Sequence, residues 1–479
     1  MKENKMGIYQ NPLETRYASE QMLSIFSDEN RYTTWRAVWV ALAQAEKELG
    51  LPITDEQIDD MRENMDNLNL KRAKEIEKEI HHDVMSHIRA FGEVAPKAKG
   101  IIHLGATSAF VTDNAETVLL KEALLLIKRR LVTLIDTLKD KAIQYKDLAM
   151  LGYTHLQPAQ PTTLGKRISL WLYDLVLDLK DLDYRMSNLV TRGAKGTTGT
   201  QASFLKLFEG DNEKVRELDR LVAKKLGFEK SIPVSGQTLT RKFDFQYLSV
   251  LSSIAQSAHR AANDIRILQH RGELEEPFSK NQVGSSAMPY KRNPILAERM
   301  TSLSRYLISN LNNAAQTFAL QFLERTLDDS ANRRILIPEC FLLADSILII
   351  YQKLIEGLNV YPEVIKTNLL ANLPFFATEN VLMEAVKRGG NRQELHEVIR
   401  DYAMKAVDAI RRGEKANLID GLKASGKFPL PDSEWEKLAD FSTYIGRAPL
   451  QVEEFIGEDV APVLEENRNF IGIDGEIRV

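Results

Sequence analysis

Residues 119–138 read LLKEALLLIKRRLVTLIDTL, and the spacing of their apolar side chains decides the fold. Leu119, Ala123, Leu126, Leu131, Leu134 and Leu138 recur every three or four positions. That is the period of one face of an α-helix, not the alternation of a strand. The surrounding run has no Gly or Pro from 106 to 151, and three further runs cover 166–192, 238–271 and 295–337. In the second of these, Leu170, Tyr173, Leu177, Leu182 and Leu189 repeat the spacing of an amphipathic helix. Runs of alternating β-branched residues are nearly absent. The pattern predicts an all-α protein whose centre is a bundle of unusually long helices.

The breaks predict three helical domains. Residues 1–107 hold shorter helical pieces, such as 33–49 and 54–90, and end at the glycine turn Gly100–Gly105. Residues 108–360 form the central long-helix bundle. Beyond Pro362 the glycines and prolines return (Gly389, Gly390, Gly413, Gly421, Gly426, Pro429, Pro431), which marks 361–479 as a smaller, less regular helical domain. A chain of 479 residues is too long for one small core and is expected to divide in this way.

Composition narrows the function classes. Hydrophobic residues make up 44% and charged residues 27%, ordinary values for a water-soluble globular protein. A formal charge of −4 gives no electrostatic reason to expect nucleic acid or a membrane surface as partner. Cys340 is the single cysteine, so no internal disulfide can form, and a reducing compartment is expected. The first twenty residues lack the apolar stretch of a secretory signal. No run reaches the ~18 uncharged apolar residues of a spanning helix. Together these predict a cytoplasmic location.

Polar segments interrupt or flank the long helices. The most informative is Gly284-Ser-Ser-Ala-Met-Pro-Tyr-Lys-Arg-Asn-Pro294, a poor core sequence that sets hydroxyls and backbone N–H groups beside fixed positive charge. Such a loop suits a reaction in which negative charge develops on a substrate. His81-His82-Asp83 with His87 lies on a predicted helix, where Asp83 and His87 share a face. His82 and His87 are five apart and no cysteine cluster supports metal ligation, so a helical histidine satisfied by a carboxylate is the better local reading. His103-Leu-Gly-Ala-Thr107-Ser108 opens a long helix, and its hydroxyls read locally as caps, although a helix N-terminus is also an anion site. Gly152-Tyr-Thr154-His155-Leu-Gln157-Pro158-Ala-Gln160-Pro161 places a histidine in a polar turn, as fitting for an acid or base as for a structural turn. In Arg325-Thr-Leu-Asp328-Asp329-Ser330-Ala-Asn332-Arg333-Arg334, Ser330 and Arg334 share a helix face and could hold a phosphate or carboxylate. Pairing of those arginines with Asp328 and Asp329 is an equal alternative.

Taken together, these segments resemble the fumarase/aspartase superfamily, whose members eliminate fumarate from a succinyl adduct. The resemblance is carried by the 284–294 loop, Arg16-Tyr17, HHDVMSH at 81–87, GIIHLGATS at 100–108, GYTHLQPAQ at 152–160, KGTTGTQASF at 195–204, SGQTLTRK at 235–242 and RTLDDSANRR at 325–334. It runs from about residue 16 to the 450s and is similar to the branch acting on succinylated purine nucleotides. One departure is His81, where that branch tends to carry Arg, which bears on an anion contact at 81 and not on His82.

The resemblance implies β-elimination of fumarate from a nucleotide-bound succinyl group, with Ser285 as base and His155 as acid. It implies further that Lys291 and Asn293 hold the succinyl carboxylates with Thr107 and Ser108, that His82 is a second histidine near the substrate, and that Glu298 orients His155. Arg16, Tyr17, Arg325, Ser330 and Arg334 would take the phosphate and ribose, and Gln237, Arg299, Thr154, His81 and Asp83 complete the expected contacts. No metal or organic cofactor is required, because the carboxylate is itself the electron sink. Helix length adds an inference of its own. If 166–192 is one helix of roughly 40 Å, and 295–337 another of about 50 Å or more, the motifs at their ends cannot meet within one chain. A homo-oligomer with sites shared between subunits is therefore expected, and the resemblance implies that it is a homotetramer. Competing readings are an argininosuccinate- or aspartate-type lyase, which leaves the arginine cluster without a phosphate, and a non-catalytic helical scaffold. A serine hydrolase fails for want of a Gly-x-Ser-x-Gly elbow.

Overall fold

The computed structural model describes residues 7–438 and 440–475. Its centre is five long helices: α1 (Ser108–Gln144), α2 (Leu164–Ser187), α3 (Lys242–His270), α4 (Ile295–Ala319) and α5 (Asp328–Glu356). α1 packs along α2 and α5, while α3 packs along α2, α4 and α5. The predicted stripe on α1 is the one that is buried: Leu131, Leu134 and Leu138 have no exposed surface. Truncating such a leucine to alanine costs about 2–5 kcal/mol. On α3, Ala255, Ala258, Ala261 and Ala262 are all fully buried, so small side chains let the neighbouring helices approach closely.

Three expectations need correction. The run 295–337 is not one helix. It turns back at 320–327, and α4 and α5 lie side by side. The helical run from 106 stops at Gln144, and residues 149–163 form a hairpin of β1 (Ala149–Thr154) and β2 (Gln157–Thr163). Pro158 and Pro161 pair opposite Tyr153 and Leu151, tolerable because β2 is an edge strand with no further neighbour in its two-stranded sheet. The piece predicted over 54–90 is broken into Asp55–Glu63, Leu70–Ile80 and Asp83–Val94.

α2 differs in another way. Its buried face is Ile168, Trp171, Leu172, Leu175, Leu179 and Leu182, whereas Leu170, Tyr173 and Leu177 from the predicted stripe are 44%, 47% and 43% exposed. A helix that is apolar on both sides has a second face to cover.

A separate core joins the amino-terminal helices to residues 194–222, through Trp35, Trp39, Phe91, Phe110, Phe204 and Leu218. A third gathers Val381, Leu395, Leu418, Leu422 and Trp435. Beyond it, Val452, Ile456, Val460 and Leu464 return to the central bundle. α5 is long and apolar enough to cross a membrane by length and composition, but 78% of its most apolar window is buried inside the fold.

Buried ion pairs fix the relative direction of the helices. Arg241, just before α3, bonds Asp329 of α5 through Nε at 2.6 Å and Asp113 of α1 through Nη1 at 3.2 Å. Arg333 bonds Asp244 at 2.6 Å and reaches Glu116. The amino-terminal ends of α1, α3 and α5 therefore lie together. At the opposite end, buried Glu276 accepts N–H bonds from Leu296 and Ala297 and so caps the start of α4.

Candidate active site

The first end of the bundle collects the histidine, hydroxyl and arginine motifs. His81 takes a left-handed conformation (φ 52°) that terminates one helix. His82 starts the next, its Nδ1 accepting the N–H of Met85 at 3.2 Å. The helix expected through this motif is therefore interrupted at its histidines. Asp83 follows, and its Oδ2 accepts from Arg334 Nη2 at 2.6 Å. That bond joins two motifs 251 positions apart, so Arg334 finds its carboxylate there and not at Asp328 or Asp329, the equal alternative in the sequence. His87 is removed from the site. It stacks on Tyr32 with centroids 3.8 Å apart, and burial followed by the charge of Arg36 lowers its pKa to about 4.

His103 lies close to this cluster. Its Nδ1 accepts from Trp39 Nε1 at 2.9 Å, and burial, with His82 as the second cause, lowers its pKa to about 4. It is a neutral acceptor at physiological pH. Thr107 occupies the N-cap position of α1, but its hydroxyl makes no capping bond, contrary to the local reading of the sequence. Ser108 is the first helical residue. Gln237 and Arg325 meet directly, with Arg325 Nη1 donating to Gln237 Oε1 at 3.0 Å. Ser330 and Arg334 are one turn apart on α5, as their spacing predicts.

The second end holds the loop and the hairpin. His155 and Leu156 form the two-residue turn of the β1–β2 hairpin, both left-handed at φ 54° and 56°, so the imidazole stands at an exposed tip. Thr154 pairs with Gln157 beside it. Ser285 Oγ accepts backbone N–H bonds from Ala287 at 3.3 Å and Met288 at 3.1 Å. Asn293 Nδ2 donates to the Gly284 carbonyl at 3.1 Å, which closes the loop and brings Lys291 back beside it. Gly284 is required here, since a Cβ would run into the Lys291 carbonyl. Glu298 is exposed on the first turn of α4. Both features flank the end of α3: the Arg271 guanidinium lies 5.0 Å over the Tyr153 ring, and Gln269 donates to the Arg292 carbonyl.

Arg16 and Tyr17 lie on a single wide turn, Leu13–Tyr17, packed against α5. Tyr17 meets the Arg299 guanidinium at 5.7 Å. Buried Asp345 anchors this segment by accepting the N–H of Ser19, while also pairing with Arg130.

The two ends are well separated. Tyr306 of α4 donates to Glu339 of α5 at 2.8 Å, which sets the register of these antiparallel helices. Ile295 lies eleven residues to one side of that contact and Arg334 five to the other, sixteen residues of rise or roughly 24 Å. This is shorter than the unbroken-helix expectation, yet still more than a mononucleotide can bridge. One chain thus brings together His82, Asp83, Thr107, Ser108, Gln237, Arg325, Ser330 and Arg334 at one end. It holds His155, Thr154, Ser285, Lys291, Asn293 and Glu298 at the other.

Comparison with known proteins identifies the class, then the family. The fold is shared with a fumarate lyase from Mesorhizobium sp. BNC1 (TM-score 0.81, 22% identity, 94% of this chain and all of that one). It is shared equally with 3-carboxy-cis,cis-muconate lactonizing enzyme from Pseudomonas putida (TM-score 0.81, 24% identity, 96% of this chain and all of that one). Residues 14–308 match the Lyase family model and residues 374–455 the adenylosuccinate lyase C-terminus. Adenylosuccinate lyases from Saccharomyces cerevisiae and Schizosaccharomyces pombe are 48% and 47% identical, each over 97% of both chains. That from Schistosoma mansoni is 45% identical over 98% of this chain and 99% of its own. The chain belongs to the adenylosuccinate lyase family.

Proposed function

We propose that this enzyme eliminates fumarate from adenylosuccinate to leave AMP, and from the succinylated aminoimidazole-carboxamide ribotide by the same chemistry. Near-complete alignment with adenylosuccinate lyases at 45–48% identity supports the overall reaction. The observation that carries the mechanism is the environment of Ser285 Oγ, which accepts two backbone N–H groups on a loop that also presents Lys291. A serine is a poor base unless its alkoxide is stabilised; two amide dipoles supply part of that stabilisation, and Lys291 on the same loop would add positive charge. Ser285 then removes the proton from the carbon beside a succinyl carboxylate. Charge collects on that carboxylate, held by Lys291 and Asn293, the C–N bond breaks, and His155 protonates the leaving nitrogen. Arg325, Ser330 and Arg334 take the phosphate, which would displace Asp83 from Arg334.

Because one chain keeps these two sets of residues at opposite ends, each site is assembled from more than one copy. The uncovered face of α2 supports this, with Leu170, Tyr173, Leu177 and Tyr184 exposed in line. So does the apolar turn between α4 and α5, where Leu320, Phe322 and Leu323 are 64%, 62% and 92% exposed. A homotetramer of bundles packed side by side satisfies both, with the domains divided near residues 107 and 360 and the enzyme working in the cytoplasm. The test is product analysis: adenylosuccinate should yield AMP and fumarate in equal amounts, while argininosuccinate and aspartate yield none. Fumarate from either of the last two, and none from adenylosuccinate, would reassign the substrate.

A further inference from the structure

Arg192 lies just ahead of the KGTTGTQASF segment and is fully buried. Its Nη2 donates to the Gly196 carbonyl at 2.6 Å and, more weakly, to the Gly236 carbonyl at 3.4 Å. Its Nε and Nη1 are buried without an acceptor. The charges of Asp113 and Asp219 act on it, but neither carboxylate bonds it, and a guanidinium with two unused donors is an unusual thing to bury.

The segments it touches form a continuous stack that ends at Arg325. Gly199, left-handed at φ 82°, rests on the Ser235 carbonyl so closely that no side chain fits. Gly236 lies against the Glu324 carbonyl, which a Cβ would approach to 2.6 Å. Gln237 N–H donates to that same carbonyl at 3.0 Å, and Arg325 Nη1 donates to the Gln237 side chain. Arg325 Nε is likewise buried without an acceptor. The near side of the stack cannot relax. Asn114 holds both the N–H and the carbonyl of Gly193, Asp219 accepts from Ala194 N–H at 2.7 Å, and Gln201 N–H closes on Lys195.

We propose that Arg192 is a positioning residue for the phosphate end of the substrate site, acting through Gly196, Gly236 and Gln237 to hold Arg325 where it meets an anionic oxygen. The inference rests on the reading above that Arg325 binds the nucleotide phosphate. Asp113 and Asp219 do not bond Arg192, so two neighbouring guanidinium groups keep unmet donors in this stack, and a phosphate at Arg325 would add an anion beside them.

The test compares Arg192→Met and Arg192→Lys in the full-length enzyme, measuring kcat, KM, thermal stability and inhibition by AMP and by adenosine, which lacks only the phosphate. Arg192→Met should raise KM and weaken AMP inhibition by at least about tenfold, the scale of one lost charge-assisted bond, with kcat and adenosine inhibition little changed. Arg192→Lys should fall between, since it keeps the charge but not the fork. Parallel weakening of AMP and adenosine, or an unchanged AMP-to-adenosine ratio in a folded variant, overturns the assignment. If Arg192→Met does not fold, the same ratio in Arg192→Lys decides. A wild-type enzyme that binds AMP no better than adenosine would instead overturn the phosphate reading beneath it.

Discussion

Mixing two inactive variants should restore activity, and the geometry fixes by how much. His82 is tied to the Arg334 end of the bundle through Asp83, while Ser285 stands on the loop before α4. The Tyr306–Glu339 contact separates those levels by roughly 24 Å within a chain. His82→Ala and Ser285→Ala chains therefore damage different contributions to each site. In randomly mixed oligomers each contribution is intact in half of the chains, so about one quarter of sites regain both. The assay is fumarate release after the two variants are allowed to exchange subunits, with native mass spectrometry to verify hybrids. Hybrids that form but stay at the level of their parents would refute the shared-site argument. A stable monomer with full activity would refute it equally.

Other predictions test individual groups. Glu46 is fully buried with neither carboxylate oxygen bonded, and burial raises its pKa from 4.5 to about 9. A raised folded-state pKa gives stability that is complete below pH 4.5 and is lost as pH rises toward 9. At pH 7 the loss is at most about 3–4 kcal/mol, so Glu46→Gln should raise the melting temperature at pH 7–8 and leave it unchanged near pH 4.5. An equal fall at both pH values would contradict a neutral Glu46. Arg130→Met strands Asp345 and releases the Asp474 carbonyl and Gln21, so unfolding should become easier by about 3–5 kcal/mol, with faster proteolysis of the carboxyl terminus. Ser285→Ala should lower kcat by about 10²–10⁴ while retaining nucleotide binding, measured by calorimetry. Loss of binding equal to the loss of rate would remove its role as base.

The long helices were legible because Leu119 to Leu138 keep one face apolar for five turns, and that face is buried. The turn between α4 and α5 was not, since 295–337 contains neither Gly nor Pro. Leu323 adopts φ 52° there, and distant Gly236 and Gln237 dock on Glu324. Nothing local in the sequence announces such a contact. The His155 hairpin escaped the strand pattern because AMLGYT and QPAQPTT lack alternating β-branched residues and β2 carries two prolines. On α2, periodicity found apolar residues without telling a face against the core from a face left for another chain. The site motifs announced their residue types, but the end of the bundle each occupies depends on the fold-back of α5. Arg192 had no motif of its own, and only the unmet donors of its buried guanidinium single it out.

The most direct test is the structure of the Ser285→Ala enzyme with adenylosuccinate bound. The phosphate is expected against Arg325, Ser330 and Arg334 of one chain, and the succinyl carboxylates beneath the 284–294 loop of another. A substrate surrounded by one chain alone, or a phosphate away from those arginines, would contradict it.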